Sequence, residues 1–406
     1  MISNFKNAKR LALDMAINLI GTAFPVFVLQ LIVYPFVAQR LSSEAYGGMQ
    51  SVMSVLYLVA GTLGGSLSTT RLIRESEYKN NHLLGDFNIL YSFAVCITAC
   101  SVPVIIFFYL KGCSAYDILL IALLSLLLLS YNYCEVGFRL ELNYKKMLTA
   151  KIFMCLGYMI GFYIFTIFPK WQLIFIASYS FPLVYALCTT SLIQEPSRKT
   201  GLFRSTAKVY GNLTFSMALS KSQTYFDKLL LYPFLGGAAV SVYFAANIFG
   251  KLVMQVLEPI TNVMLSYLSR KTVVENSIWR LTFSIGGLFC IGMYVICMVL
   301  SAPVLWFLYP QWAEEALSLV PVATASLCVS SFVGIIAPLT LKTFESNAQI
   351  LINGTSLLAY ILLLLSSYKT YGLLGCCMSL LLSYCIKLLV ILFLFFKKKK
   401  SAQAVK

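Results

Sequence analysis

The segment from residue 118 to residue 138 reads ILLIALLSLLLLSYNYCEVGF, and it decides the fold of this chain. One charged residue, Glu135, occurs in it. A helix needs about 20 consecutive apolar residues to cross the hydrocarbon of a bilayer, whereas a strand of a membrane barrel alternates apolar and polar residues over about ten positions. The unbroken apolar run therefore predicts a membrane-spanning helix.

Similar apolar runs repeat along all 406 residues, of which 59% are hydrophobic and 11% charged. Soluble domains carry about 25% charged residues, so this composition and a mean hydropathy of +0.82 exclude a water-soluble globule. We predict twelve helical spans, at residues 11–38, 46–67, 87–110, 118–138, 147–168, 172–193, 211–234, 239–267, 279–300, 314–337, 349–367 and 373–396.

Positive charge is concentrated at the ends of the predicted spans. If the N-terminus is cytoplasmic, 22 of the 31 Lys and Arg residues fall on inner segments, counting Arg280 at the inner end of span 9, and 4 fall on outer ones. This asymmetry is the positive-inside pattern. It predicts a multi-pass protein of the cell inner (cytoplasmic) membrane with both termini in the cytoplasm, and with its first span retained rather than cleaved as a signal peptide. It also explains the net charge of +16 without nucleic acid, which we do not expect as a partner.

The two halves of the chain share landmarks. The tetrapeptide Val33–Phe36 near the end of span 1 recurs as Leu231–Phe234 near the end of span 7, 198 residues later. Two further landmarks keep this spacing within one residue: Ala45-Tyr46 with Val242-Tyr243, and Arg71 with Arg270. The expected fold is therefore an all-α integral membrane protein with two pseudo-symmetric six-helix lobes, residues 1–200 and 201–406. Repeats of this kind, facing each other across a central cleft, are typical of transporters that alternate access to a site near mid-membrane.

Ionisable residues concentrate in spans 7 and 8. Each costs about 2.5–3.5 kcal/mol at the centre of a membrane helix on insertion scales, so each is a candidate functional residue. The residues are Lys221, Asp227, Lys228, Lys251 and Glu258. Two interpretations stay open. In the first, Lys221 pairs with Glu258 and Asp227 pairs with Lys251, so that Lys228 contributes one net positive charge. In the second, the cluster forms a cationic path for an anionic substrate together with the cytoplasmic-end residues Arg71, Arg74 and Arg270.

The sequence offers little to a catalytic mechanism. His82 is the one histidine, and no phosphate-binding G-x-x-x-x-G-K-[ST] motif occurs. Catalysis by a Ser-His-Asp triad or by a histidine-bound metal therefore has almost no residues to use. We expect a protein that is not an enzyme, with no catalytic residues, no metal site and no cofactor.

Short motifs around these spans resemble one known family. They are Asp227–Leu231, Phe234–Gly236 and Val240–Tyr243 in spans 7 and 8, Leu41–Gly47 after span 1, and Tyr371–Gly375 at the start of span 12. The chain resembles the polysaccharide flippases, the Wzx branch of the multidrug/oligosaccharidyl-lipid/polysaccharide (MOP) exporter superfamily, which also contains the MATE transporters.

This resemblance implies a function. A flippase of that branch moves an undecaprenyl-diphosphate-linked oligosaccharide from the cytoplasmic to the periplasmic leaflet for O-antigen or capsule synthesis. The implied partners are this lipid-linked substrate, membrane lipid and other polysaccharide-assembly membrane proteins. The family's cationic cavity maps by position onto Lys221, Lys228 and Lys251, but the first lobe departs from the pattern because it has no mid-span Arg or Lys of its own.

Rival functions predict different features. A MATE-like drug/cation antiporter would carry a carboxylate deep in the first lobe, whereas Asp14 and Glu135 lie near cytoplasmic span ends. A membrane polysaccharide polymerase would carry a sizeable charged outer loop, whereas the longest outer segment, 301–313, is short and has no basic residue. Coupling of transport to protons or sodium through Asp227 or Glu258 stays an open alternative.

Overall fold

The computed structural model describes residues 21, 23–110, 112–141, 143–192, 194–248, 250–251, 276–344 and 346–404. Across these ranges the regular secondary structure is helical throughout. The helices are α1 (Ala23–Arg40, with a π-helical turn at Leu29–Val33), α2 (Ser43–Asn80), α3 (Asp86–Tyr109), α4 (Ala115–Cys134), α5 (Val136–Leu140), α6 (Tyr144–Ile167), α7 (Gln172–Thr189), α8 (Phe203–Ala246), α9 (Asn276–Leu308), α10 (Ala313–Thr343) and α11 (Ser346–Ala404).

Within these ranges, 10 helices are long and apolar enough to cross a membrane. The predicted class, an all-α multi-pass membrane protein, is confirmed. Two of the helices each run over parts of two predicted spans, and each is interrupted by a glycine. Gly236 in α8 has φ 82° and ψ 173°, and Gly372 in α11 has φ 52° and ψ −131°. Only glycine adopts such conformations without steric cost, so these residues mark the turns predicted between spans 7 and 8 and between spans 11 and 12.

Some predicted features lie outside the described residues. They are residues 11–20 of span 1 with Asp14, the part of span 8 beyond residue 251 with Glu258, and Arg270. The predicted Lys221–Glu258 pair is among them.

The chain forms two compact units. The first comprises residues 1–37 and 51–225, and the second comprises residues 38–50 and 226–406. The division within α8 at 225/226 separates Lys221 from Asp227 and Lys228. The two pseudo-symmetric lobes with a boundary at residue 200 stay a prediction.

Close backbone packing organises the first unit. Helix α6 packs against α7 through Gly157 and Gly161, which form a small-xxx-small pair. A Cβ atom at Gly161 would lie 2.6 Å from Cα of Ile174, and one at Gly157 would lie 2.6 Å from Cα of Ser178. Small residues of this kind let membrane helices approach until their backbones touch, because lipid gives no hydrophobic drive for association. This contact holds α6 and α7 together.

The second unit includes a segment from early in the chain. Glu44, in the first turn of α2, accepts hydrogen bonds from the backbone N–H groups of Gly237 (2.8 Å) and Ala238 (2.9 Å). A carboxylate there satisfies N–H groups that have no partner within their own helix, and it complements the positive end of the helix dipole. Trp312 Nε1 donates to Ser43 Oγ at 2.7 Å. Part of the Leu41–Gly47 motif thus fixes the start of the helix that follows Gly236.

Candidate functional site

The membrane-embedded cations that the sequence singled out fall into two groups, one in each compact unit. Lys228 and Lys251 belong to the second unit together with Asp227, and Lys221 belongs to the first. The groups are described separately below. Glu258 and Arg270, the other predicted site residues of this half, lie outside the described residues.

In the second unit, two ammonium groups lie around the ring of Phe244. Lys251 Nζ is 3.9 Å from the ring centroid, and Lys228 Nζ is 6.0 Å from it. A cation over an aromatic face is attracted by the negative face of the ring, and the attraction grows when water is excluded. Lys228 is buried, with 6% of its surface exposed. We call Asp227, Lys228, Tyr243, Phe244 and Lys251 the Phe244 cluster.

Asp227 is the carboxylate of this cluster. Its Oδ2 accepts a hydrogen bond from the Tyr243 hydroxyl at 2.9 Å, and its Oδ1 accepts one from the backbone N–H of Lys228 at 2.7 Å. Both carboxylate oxygens are therefore engaged in hydrogen bonds.

The predicted ion pair between Asp227 and Lys251 is not formed. Among the described residues, Lys251 Nζ is buried without a hydrogen-bond partner, and no carboxylate lies within ion-pair distance of it. The physical reason is that the Asp227 carboxylate is directed to Tyr243 and to its own helix. The described part of the cluster holds two lysine side chains and one carboxylate.

In the first unit, Lys221 lies against the middle of α2. A Cβ atom at Gly61 would lie 3.2 Å from Lys221 Nζ, so the ammonium group occupies the groove left by this glycine. One helical turn away, the rings of Tyr57 and Tyr225 stack with centroids 5.8 Å apart and an interplanar angle of 27°. We call Tyr57, Gly61, Lys221 and Tyr225 the Lys221 group. Lys221 thus belongs to the first compact unit, although it follows the predicted lobe boundary at residue 200 in the sequence.

Arg71, a predicted substrate contact, forms ion pairs within the first unit. Its Nη2 and Nη1 donate to the two carboxylate oxygens of Glu195 at 2.5 and 2.8 Å, and its Nε donates to Glu75 at 3.3 Å. The Tyr133 hydroxyl accepts a further bond at 3.3 Å. With 4% of its surface exposed, Arg71 has its guanidinium committed to the first unit's own acids. Arg74 likewise forms an ion pair with Glu77.

A cavity of about 360 Å³ opens beside the Arg71–Glu195 ion pair. Its lining includes Lys79 and Glu75, which form an ion pair at 3.3 Å, and His82. Cationic and anionic side chains are both present in its wall, so this cavity does not present the excess of positive charge that an anionic substrate would require.

Sequence reasoning missed a third ionic group. Glu135 accepts from Lys151 Nζ at 3.1 Å and from Arg139 Nη2 at 3.3 Å. Lys151 Nζ also lies 4.9 Å from the ring centroid of Tyr131. The signal was present in the sequence, because Glu135 is the only charge in its span and Lys151 is the only charge within the next. Tyr243 and Phe244 were missed as well, since an aromatic residue in an apolar run carries no distinguishing mark.

The described residues contain no group of three or more His, Cys, Asp or Glu side chains that could hold a metal ion. What the Phe244 cluster and the Lys221 group offer chemically is ammonium groups and tyrosine hydroxyls. Ammonium groups bind phosphate as point charges, and hydroxyl groups donate to and accept from polar ligands.

Comparisons with known proteins define the class of this fold. No family model matches the sequence, and a search of curated proteins finds no match. Among solved structures, the lipid II flippase MurJ in an inward closed conformation matches with a TM-score of 0.71 and 16% identity, covering 94% of this chain and 86% of that one. An inward-facing multidrug resistance MATE family transporter of the MOP superfamily matches with a TM-score of 0.69 and 13% identity, covering 95% of both chains.

A third match is a point mutant of the MATE transporter VcmN from Vibrio cholerae, with a TM-score of 0.60, 15% identity and 99% coverage of both chains. These likenesses extend over nearly the whole length of each protein. The chain therefore has the fold of these MOP-type membrane transporters and flippases. At such low identities the comparison establishes the fold alone.

Proposed function

We propose that this protein is a MOP-type transporter that flips a lipid-linked oligosaccharide diphosphate, such as the undecaprenyl-diphosphate-linked repeat unit of O-antigen or capsule, from the cytoplasmic to the periplasmic leaflet. The observation that carries the proposal is the Phe244 cluster. Two lysine ammonium groups meet on one buried ring, and the described residues around them supply a single carboxylate. Two lysine side chains this close together form a site that suits the phosphate groups of an anionic substrate.

Energetics favour this assignment. Burying an ammonium group in a membrane helix costs about 2.5–3.5 kcal/mol on insertion scales, so its retention calls for a function or a partner. A bound diphosphate would interact favourably with these lysine side chains. The membrane potential assists the same direction of movement, since an inside-negative potential favours outward passage of each negative charge by about 2.3 kcal/mol per 100 mV. ATP hydrolysis is therefore not needed in this mechanism.

The Lys221 group gives the first unit a cation of its own. Under the proposal, Lys221 is a further lysine that binds the anionic head of the substrate as access alternates between the two sides of the membrane. The protein would lie in the cytoplasmic membrane with both termini inside the cell. Reporter fusions to each terminus test this orientation, and a periplasmic C-terminus would contradict the predicted number of crossings.

Replacement of the lysines tests the proposal. We expect Lys228→Ala, or Lys221→Ala combined with Lys251→Ala, to abolish surface display of the finished polymer in cells lacking the native copy. Lys228→Arg keeps the charge and should retain part of the export. Lys369→Ala removes an exposed lysine outside both groups and serves as the matched control.

Two measurements are needed for each variant, namely surface polymer and the amount of protein in the membrane. Loss of polymer with normal accumulation supports the proposal. Normal polymer in both lysine variants would overturn it, because none of the three ammonium groups would then be required.

A second candidate is a drug/cation antiporter, which the fold likeness to MATE transporters also allows. The observation that favours it is Asp227, a buried carboxylate hydrogen-bonded to Tyr243 in a membrane helix, since a carboxylate can bind a cationic drug or a coupling ion. Efflux of an organic cation dye separates the two candidates. Dye efflux that is lost in Asp227→Asn, with unchanged polymer in the lysine variants, would replace the flippase by the antiporter.

A further inference from the structure

The Lys221 group combines a cation with a pair of aromatic rings. Lys221 and Tyr225 are four residues apart on α8, and Tyr57 and Gly61 are four residues apart on α2. Residues at this spacing lie on the same face of a helix, about 5–6 Å apart. The contacts are consistent with this arrangement, because Lys221 meets α2 at Gly61 and Tyr225 meets it at Tyr57. The ammonium group and the ring pair therefore lie side by side along one line of contact.

Tyr57 is held in place by other tyrosines of the first unit. Its hydroxyl lies 3.5 Å from the hydroxyl of Tyr179. The ring of Tyr179 in turn lies 6.1 Å from the ring of Tyr131. Tyr179 and Tyr131 are buried, whereas Tyr57 and Tyr225 keep part of their surface uncovered. The stacked pair is thus supported from behind and partly exposed in front, as a preorganised binding surface should be.

The two parts of the group suit adjacent parts of one ligand. An ammonium group is a compact charge that binds a phosphate. Tyrosine rings present an apolar face with a polar tip, which matches a sugar ring with its C–H face and its surrounding hydroxyls. In a glycosyl phosphate the sugar ring is bonded directly to the phosphate. The spacing of about one helical turn between Lys221 and Tyr225 fits these neighbouring groups.

We propose that the Lys221 group is a subsite for the glycosyl phosphate portion of the substrate, in which Lys221 binds the phosphate and the Tyr57–Tyr225 pair binds the first sugar. This inference rests on the proposed flippase function and deepens it. It makes Tyr225 a specificity-determining residue, which distinguishes a glycosylated lipid carrier from the bare carrier diphosphate. Gly61 serves the subsite by leaving the groove in which the ammonium group lies.

The test compares ligands with and without the sugar on the purified full-length protein in detergent. The probes are farnesyl diphosphate and farnesyl diphosphate carrying glucose, galactose or N-acetylglucosamine. Aromatic contacts of this kind correspond to about a threefold to tenfold change in affinity. We expect at least one glycosylated probe to bind more tightly than farnesyl diphosphate by such a factor. The readout is the ratio of the two Kd values.

Substitutions assign the effect. Tyr225→Leu should reduce the ratio to near one, whereas Tyr225→Phe, which keeps the ring, should retain most of it. Lys221→Gln should weaken binding of every probe. Tyr163→Leu removes an exposed tyrosine elsewhere in the first unit and should change neither constant. General misfolding weakens all probes together, so it does not reproduce a selective loss of the ratio.

Each outcome is decisive. If all glycosylated probes bind no more tightly than farnesyl diphosphate, or if Tyr225→Leu keeps the full ratio, the sugar subsite is refuted while the flippase proposal stands. If no probe binds to the wild-type protein, the anionic-substrate proposal itself fails. These results are distinguishable because the first retains binding and the second does not.

Discussion

The bond between Arg71 and Glu195 should be a major support of the first unit. It joins the C-terminal half of α2 to the loop between α7 and α8, 124 positions further along the chain. Side-chain exposure is 5% for Arg71 and 13% for Glu195, so both charges are largely removed from water. Removing one partner of a buried ion pair leaves the other charge uncompensated, at a cost of about 3–5 kcal/mol.

We therefore expect Arg71→Met to lower the free energy of unfolding by about 3–5 kcal/mol, and Glu195→Gln to lower it by a similar amount. The double variant should be less destabilised than the sum of the two, because no isolated charge remains. Interacting residues of this kind show coupling energies of about 0.5–3 kcal/mol. The double variant should still be less stable than the wild type, because it also lacks the hydrogen bond from Arg71 to Glu75.

The assay is a detergent-unfolding titration of the four proteins, combined with the amount of each in the membrane. Lys79→Gln is the control, since that lysine also pairs with Glu75 but has 68% of its side chain exposed. An exposed pair contributes about 0–1 kcal/mol. Strictly additive effects would refute the reasoning. Unchanged stability of Arg71→Met together with lost export would also refute it, because Arg71 would then act as a substrate contact.

Three further predictions concern other parts of the molecule. Glu44→Ala removes two charge-assisted hydrogen bonds to a helix start and should lower the free energy of unfolding by about 0.5–2 kcal/mol, measured in the same titration, with Glu44→Gln intermediate. Gly161→Val should sharply reduce the amount of protein in the membrane, measured by immunoblot, because the new side chain would collide with the backbone of α7. The control is Gly292→Val, which should accumulate normally because a Cβ atom there meets no other atom within 4 Å. Burial, and then the charge of Asp117, raises the pKa of the Cys113 thiol. In a variant with Cys113 as its single cysteine, an impermeant maleimide applied outside the cell should therefore label this thiol at pH 8 more slowly than it labels a model peptide. Asp117→Asn should speed the labelling. Labelling from the cytoplasmic side alone would contradict the predicted topology.

Much of the fold follows from local sequence. The segment 118–138 is long and apolar, and the described structure places a helix there. The glycines at 236 and 372 were recognised only as parts of motifs, yet their positive φ values divide two long helices where the sequence predicts a change of span. Lengths and turns are readable because the hydrocarbon requires about 20 apolar residues per crossing and satisfies no backbone polar group.

The candidate site was predicted less completely. The sequence identified which charges lie in apolar spans, because such charges are rare and costly. Asp227 and Lys251 lie at similar depths in their predicted spans, which is why one interpretation pairs them, but the structure directs the Asp227 carboxylate to the Tyr243 hydroxyl instead. Depth is fixed by position along a helix, whereas partner choice depends on the rotation of each helix about its axis, which a single sequence does not specify.

By itself, therefore, the sequence determined that this chain is a helical membrane protein, where its spans fall and which of them carry charge. Only the tertiary structure decided which side chains meet: Arg71 with Glu195, Lys221 with Gly61, and Lys228 and Lys251 around Phe244. The reason is physical. The bilayer selects each segment separately by its length and polarity. Contacts between distant segments arise from helix packing, in which small residues such as Gly61 set how closely a charged group can approach.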